Sequence, residues 1–172
     1  ELGDMKIGLW IASWWGPNRL EDSTTKDVIM QHEELGDMKI ALHYETSNRI
    51  RGGLTGISSD MEYMCENYFD HPNYYKINGR PVIFVYVTRK LDADGSLAPS
   101  ILTMRTSASK CGHDVYLVGD HVFESAPDVA EVFVPFWYFD AVTNYDVYGS
   151  MGRPSPFATP NVVDTYYAQQ EQ

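Results

Sequence analysis

The hydrophobic and polar positions of this 172-residue chain fall into a repeating order of continuous apolar runs and amphipathic stretches. The runs are Met5-Lys6-Ile7-Gly8-Leu9-Trp10-Ile11-Ala12-Ser13, Met38-Lys39-Ile40-Ala41-Leu42-His43-Tyr44, Pro81-Val82-Ile83-Phe84-Val85-Tyr86-Val87 and Asp114-Val115-Tyr116-Leu117-Val118-Gly119. A fifth apolar segment, Val132 to Phe139, leads into Asp140-Ala141-Val142-Thr143-Asn144-Tyr145, whose second half reads as a strand. Strands buried on both faces are continuous rather than alternating, which is typical of parallel sheets covered by helices. Helical periodicity is expected around Thr25 to Glu34, over Asp60 to Phe69 with apolar residues at 61, 64, 65, 68 and 69, and over Ser100 to Lys110. Asn78-Gly79 marks a turn before the third run.

The intervals between runs exceed the roughly dozen residues that a parallel crossover needs. The fold class predicted is therefore α/β, built of parallel β/α units. Residues 1–172 read as a single β/α domain. A closed (β/α)8 barrel needs eight strands and typically about 250 residues, so five strands make an incomplete barrel. Thr159-Pro160 is a sound helix start, and the stripe Val162, Val163, Tyr166 and Tyr167 continues it without a stop signal. Glu1-Leu2-Gly3-Asp4 is unlike a signal peptide, and no Met opens the chain, as expected of a processed protein or a piece of one. Glu-Leu-Gly-Asp-Met-Lys-Ile occurs at 1–7 and again at 34–40, each copy leading into a strand.

Charge narrows the partners. Lys and Arg total 13 against 24 Asp and Glu, a net charge of −11. Such a balance repels phosphate backbones, so no nucleic-acid partner is expected, and a neutral or cationic ligand is easier to accommodate. No apolar run approaches the roughly 18 residues of a membrane helix. Cys65 and Cys111 can pair or can pack as small apolar groups; the sequence leaves both open. There is no Cys-x-x-Cys and no Asn-x-Ser/Thr sequon. Aromatics reach 13%, several beside polar residues, as in Ser13-Trp14-Trp15-Gly16-Pro17 and Asn144-Tyr145-Asp146. Exposed rings flanked by carboxylates suit sugars, which stack on π faces and donate hydroxyls to carboxylates. Tyrosines at a protein interface are the alternative.

Ligands of parallel α/β folds bind beyond the carboxyl ends of the strands. Those ends carry Trp14 and Trp15, then His43-Tyr44-Glu45-Thr46, Tyr86, Gly119-Asp120-His121, and Asn144-Tyr145. His43 and Glu45 lie two apart and share a strand face. They could form a metal edge, an acid/base pair or two sugar contacts. No His-x-His or Glu-x-x-His partner accompanies them, so neither a metal nor a cofactor is expected. Asp120 and His121 face oppositely, so one of them points into the mouth. His113-Asp114 precedes its strand, at the far end, and reads as structural. Glu45 and Asp120 are the strand-end carboxylates to consider for glycoside hydrolysis, which generally uses two carboxyl groups.

In order along the chain, Ser13-Trp14-Trp15-Gly16-Pro17, Lys39-Ile40-Ala41-Leu42-His43-Tyr44-Glu45 and His71-Pro72-Asn73-Tyr74-Tyr75-Lys76-Ile77-Asn78-Gly79-Arg80-Pro81-Val82-Ile83-Phe84-Val85-Tyr86 follow one another. Together with Phe139-Asp140-Ala141-Val142 they resemble family 99 glycoside hydrolases, the endo-α-mannosidase-like enzymes, over most of residues 8 to 148. The resemblance implies a (β/α)8 barrel that cleaves α-mannoside-type linkages with retention. It implies that His43 and Glu45 contact the sugar beside the reacting centre and that Tyr86 lines the same cleft. The family's catalytic glutamates come from a Glu-Trp-x-Glu type segment that this sequence lacks. Tyr44-Glu45-Thr46 stands where the family has Ile-Glu-Pro.

The expectation is thus a glycoside hydrolase-like protein acting on or binding an α-mannoside-type glycan, in a secreted or extracellular setting. The alternative is a noncatalytic carbohydrate-binding or structural protein on the same scaffold. Glu45 and Asp120 are the candidate catalytic residues. Trp14, Trp15, His43, Tyr86, Asn144 and Tyr145 are the candidate substrate contacts. His43 and Glu45 are expected to face one cleft together with a tryptophan and Tyr86.

Overall fold

The computed structural model describes residues 7–46, 53–120 and 136–143. Each of the five expected strands forms: β1 (Leu9–Trp14), β2 (Lys39–Tyr44), β4 (Arg80–Val85), β5 (Tyr116–Asp120) and β6 (Ala141–Thr143). They pair side by side in the order β1-β2-β4-β5-β6, every contact parallel. The remaining strand, β3 (Lys76–Ile77), runs antiparallel to the start of β4. The turn joining them uses Asn78 (φ 52°) and Gly79 (φ 79°), two left-handed positions that match the twist of a tight hairpin. A two-residue strand is too short to show a period, so the sequence discloses only its turn.

Helices cover one face. The first, α1 (Leu20–Ser23), widens into a π-helical segment over Thr24–Ile29 and starts earlier than the Thr25 to Glu34 periodicity suggests. The helix α2 (Gly53–Met64) runs on as a wider turn through Cys65–Phe69, and α3 (Thr88–Ala93) precedes α4 (Leu97–Lys110). The core lies between these helices and one set of alternating strand residues. That set is Ala12 and Trp14 of β1, Ile40, Leu42 and Tyr44 of β2, Ile83 and Val85 of β4, and Leu117 of β5. Against them pack Ile57, Met61 and Met64 of α2 and Ile101, Met104 and Ala108 of α4. Cys65 and Cys111 form a disulfide that ties the end of α2 to the residue after α4, answering the question the spacing left open.

Much of the aromatic excess serves this core. Trp14, Tyr44, Tyr68, Phe69 and Tyr74 are among its largest fully buried side chains. Their polar atoms find partners, as buried hydroxyls must. Tyr44 donates to Asp60 at 2.7 Å, Tyr68 to Asp22 at 2.6 Å and Tyr74 to the Val82 carbonyl at 2.9 Å. Composition alone favours sugar platforms; packing assigns these rings to the interior instead.

Among the described residues β1 and β6 are the sheet's two edges, and the sheet does not close. The edge position changes β1. It alternates instead of being buried on both faces, and Trp10 and Ile11 are each more than two-fifths exposed.

Candidate functional site

Side chains alternate across a strand, so the residues absent from the core define the opposite face, which none of the described helices covers. Register fixes which ones meet. Ser13 of β1 lies beside His43 of β2, and His43 beside Phe84 of β4. Phe84 lies beside Val118 of β5, and Asp120, two residues further on, lies beside Thr143 of β6. Ile11, Ser13, His43, Phe84, Asp120 and Thr143 line a small cleft of about 160 Å³ on this face. All of these but Ile11 lie in the last two residues of their strands, at the ends where β/α folds bind ligands.

At its floor the His43 ring is held at both nitrogens. Nδ1 lies 3.1 Å from Glu45 Oε1, and Nε2 lies 3.1 Å from Asp120 Oδ2, reached across β4. All three residues are buried: His43 is 5% exposed, Glu45 6% and Asp120 0%. Burial alone disfavours the charged imidazole, but the hydrogen bonds and charges of Asp120 and Glu45 outweigh it and push the His43 pKa up to about 9. The Tyr86 ring packs against the imidazole at 5.1 Å between centroids, tilted by 56°. Immediately after it Val87 takes a left-handed backbone (φ 49°), a costly conformation for a β-branched residue, and the chain leaves the sheet into α3. Thr88 Oγ1 then donates to the Asp120 carbonyl at 3.3 Å, fixing the end of β5.

The structure therefore brings His43, Glu45, Asp120 and Tyr86 together, as their strand-end positions suggest. It does not bring Trp14. Parity is the reason: because His43 and its neighbour Ser13 face the cleft, Trp14 and its neighbour Tyr44 must face the helices. Trp14 is fully buried there, stacked on Tyr44 at 5.8 Å, with its indole N–H donating to Asp22 at 2.8 Å. The expectation of Trp14 as a sugar platform is thus corrected to a core anchor. Trp15, the first residue past β1, is half-buried. Asn144, Tyr145 and His121 lie outside the described residues. Glu45 bonds to His43 inside the protein and is almost wholly buried.

Sequence reasoning misses Asp22. Its buried carboxylate accepts from Trp14, from Tyr63 at 2.7 Å, from Tyr68 at 2.6 Å and from the Asn18 backbone N–H at 2.9 Å. Burial raises its pKa, but these donors prevail and hold it below the ordinary carboxylate value. No motif announces it; its partners converge from β1, the loop before α1, and α2. At the opposite end of the strands, His113 faces Asp70 at 3.7 Å and Asp114 pairs with Arg80 at 2.9 Å, the structural role their position suggests. Among the described residues no group of three or more His, Cys, Asp or Glu is arranged to hold a metal ion.

No family model matches this chain, and no curated protein matches it. Among solved structures, the chain is similar to the GH99 endo-alpha-mannosidase from Bacteroides thetaiotaomicron, with a TM-score of 0.51. Identity is 19%, over 80% of this chain and 39% of that one. The shared feature is the fold. It is that of parallel β/α units from a TIM-type barrel. The chain thus spans well under half of the length of the structure it resembles. No helix among the described residues is long and apolar enough to cross a membrane.

Proposed function

We propose that the sheet face opposite the core binds a neutral glycan of the α-mannoside type, through carboxylates held at the ends of β2 and β5. The observation that carries this reading is the bridge Glu45–His43–Asp120 beneath a cleft at the carboxyl ends of parallel strands. Carboxylate oxygens are acceptors, and sugars supply donors. Ser13 and Thr143 add hydroxyls at the rim, while Ile11 and Phe84 offer apolar surface to the C–H faces of a ring. The likeness to an endo-alpha-mannosidase and the family 99 motifs support the α-mannoside class. A secreted or extracellular setting is part of the proposal; the Cys65–Cys111 disulfide supports it, since such bonds persist in oxidising compartments.

Within this reading Glu45 and Asp120 bind rather than cleave. A hydrolytic carboxyl pair flanks the scissile bond with sugar or water between its members. Here the imidazole occupies the line between the two oxygens it bonds. Any hydrolysis on this scaffold falls to carboxyl groups outside this trio.

Calorimetric titration with α-mannooligosaccharides tests the proposal, with β-linked glucans as controls. Glu45→Gln retains one oxygen to face Nδ1 but removes the charge. A charge-assisted hydrogen bond contributes about 1.5–3 kcal/mol, so affinity should fall tenfold or more. Equal affinity in the variant, or no α-mannoside binding by the native protein, would refute it. Release of reducing sugar by the full polypeptide separates an enzyme from a binding protein on the same scaffold.

A further inference from the structure

We propose that His43 is a positioning residue, a doubly protonated imidazole that holds Glu45 and Asp120 in place and whose proton sets the pH range of ligand binding on this face. The inference rests on the glycan reading for its ligand, but its charge state follows from counting protons.

Two nitrogens of one ring each lie 3.1 Å from a carboxylate oxygen. A neutral imidazole has one N–H and one lone pair. With both acids ionised, one of the two contacts would then set a lone pair against a carboxylate, in a site that is almost wholly buried. Two hydrogen bonds need two protons among the three groups. The more basic site takes the second one, and imidazole is intrinsically more basic than a carboxylate by about two units. The trio therefore carries a net charge of −1 rather than −2.

The groups that face the ring are consistent with this count. Glu45 follows β2, Asp120 ends β5, and Tyr86 follows β4. From the edge strands Ser13 and Thr143 contribute hydroxyls to the cleft. The elevated His43 pKa, about 9, agrees with the geometry.

Position follows from charge. Each N–H pins one oxygen of one carboxylate, Glu45 Oε1 at Nδ1 and Asp120 Oδ2 at Nε2, and so fixes how each acid is turned. His43 itself has no N–H left for a sugar, so its effect on a ligand is exerted through Glu45 and Asp120. Loss of the imidazolium proton replaces one donor with a lone pair, and one carboxylate is then repelled from its place. If only the protonated trio binds, affinity falls about tenfold between pH 7 and pH 10.

The experiment starts with the native protein, uniformly labelled with 15N. Long-range proton–nitrogen correlation, assigned with His43→Gln, is recorded from pH 6 to pH 10.5. The expected result is two protonated ring nitrogens at pH 7, with one proton lost near pH 9. A His43 ring that carries a single N–H at pH 7 overturns the proposal, whatever the variant does. In the second arm, α-mannooligosaccharide affinity is measured at pH 7 and pH 10. The native protein should lose about tenfold, whereas His43→Gln should start weaker and stay flat. A native affinity that is flat over this range, with the nitrogen titrating near 9, overturns the positioning role. Two ring N–H groups in a protein that binds no glycan at any pH support the bridge and refute the function proposed above.

Discussion

Replacing Asp22 by Asn should destabilise the protein by about 4 kcal/mol, because this one carboxylate satisfies donors from three parts of the fold. Its two oxygens accept from the Trp14 indole, the Tyr63 and Tyr68 hydroxyls and the Asn18 backbone N–H, at 2.6 to 2.9 Å. The residue is 1% exposed, so water does not replace a lost partner. An asparagine offers one acceptor oxygen and turns two donors of its own toward groups that are themselves donors. Hydrogen bonds to a charged group contribute roughly 1.5–3 kcal/mol each, and an orphaned buried donor costs about 1–3 kcal/mol. Two such losses, partly relieved by rotation of the tyrosine hydroxyls, give the figure stated. That is a large share of the roughly 5–15 kcal/mol that holds a domain folded.

Urea unfolding followed by tryptophan fluorescence measures it, and Trp14 reports directly on the site. A double-mutant cycle with Tyr68→Phe should return a coupling of about 1 kcal/mol or more, since the two side chains meet at 2.6 Å. The sign with pH is also fixed. Asp22 has a depressed folded pKa, so its contribution is present above the ordinary carboxylate pKa and is lost as pH falls through the lower folded value. A cost below about 1 kcal/mol, or no coupling to Tyr68, would refute the argument that Asp22 organises this corner.

Other perturbations probe the rest of the fold. Gly119→Ala would place a Cβ 2.8 Å from the Phe139 ring, which is itself buried in the core; a loss of about 1–3 kcal/mol in chemical denaturation is expected, recovered in part by Phe139→Leu. Reduction of Cys65–Cys111, which closes a separation of 46 residues, should lower stability by about 2–4 kcal/mol, read as a shift of the thermal midpoint with and without reductant. The His43 pKa is raised on folding, so its stabilisation is fully present below about pH 6.5 and disappears as pH rises through about 9. The stability difference between the native protein and His43→Gln should therefore shrink by about 3 kcal/mol from pH 6 to pH 10.5; a difference that grows with pH would contradict it.

The strands were legible because burial writes itself into composition. Parallel strands under helices need continuous apolar runs; the first four runs match β1, β2, β4 and β5 within a few residues, and the strand expected after Phe139 is β6. The pairing of His43 with Glu45 was legible from their spacing, and Asp120 from its place at a strand end. The orientation of Trp14 was not. A tryptophan at a strand end suits either face, and only the register Ser13–His43 decides between them. Asp22 was illegible for a related reason, since its partners are distant in sequence and none forms a motif with it. The start of α1 was hidden because its first turn carries no side-chain cap, and the periodicity begins only afterward.

The two ends of the sheet use the same residue types to opposite effect, and this polarity is what separates scaffold from site. At the amino ends, arginines match carboxylates. Arg80 binds Asp114 and Asp140, and Arg105 binds Asp140 together with the Val115 and Tyr138 carbonyls. Asp140 also accepts the Leu117 backbone N–H, and although burial opposes ionisation, these donors hold its pKa low. That end joins β4, β5, β6 and α4 with charges neutralised in place, as expected of the stability face of a β/α fold. At the carboxyl ends, two carboxylates share one imidazole. The His43 cation between these two acids leaves the trio with one negative charge, beside a cleft that His43 and Asp120 help to line. An acceptor-rich floor of this kind asks for a ligand that brings its own hydroxyl donors, and an anionic ligand would meet repulsion there. Chemistry of the strand ends, more than the overall acidity of the chain, therefore supports the neutral polyhydroxylated partner proposed above.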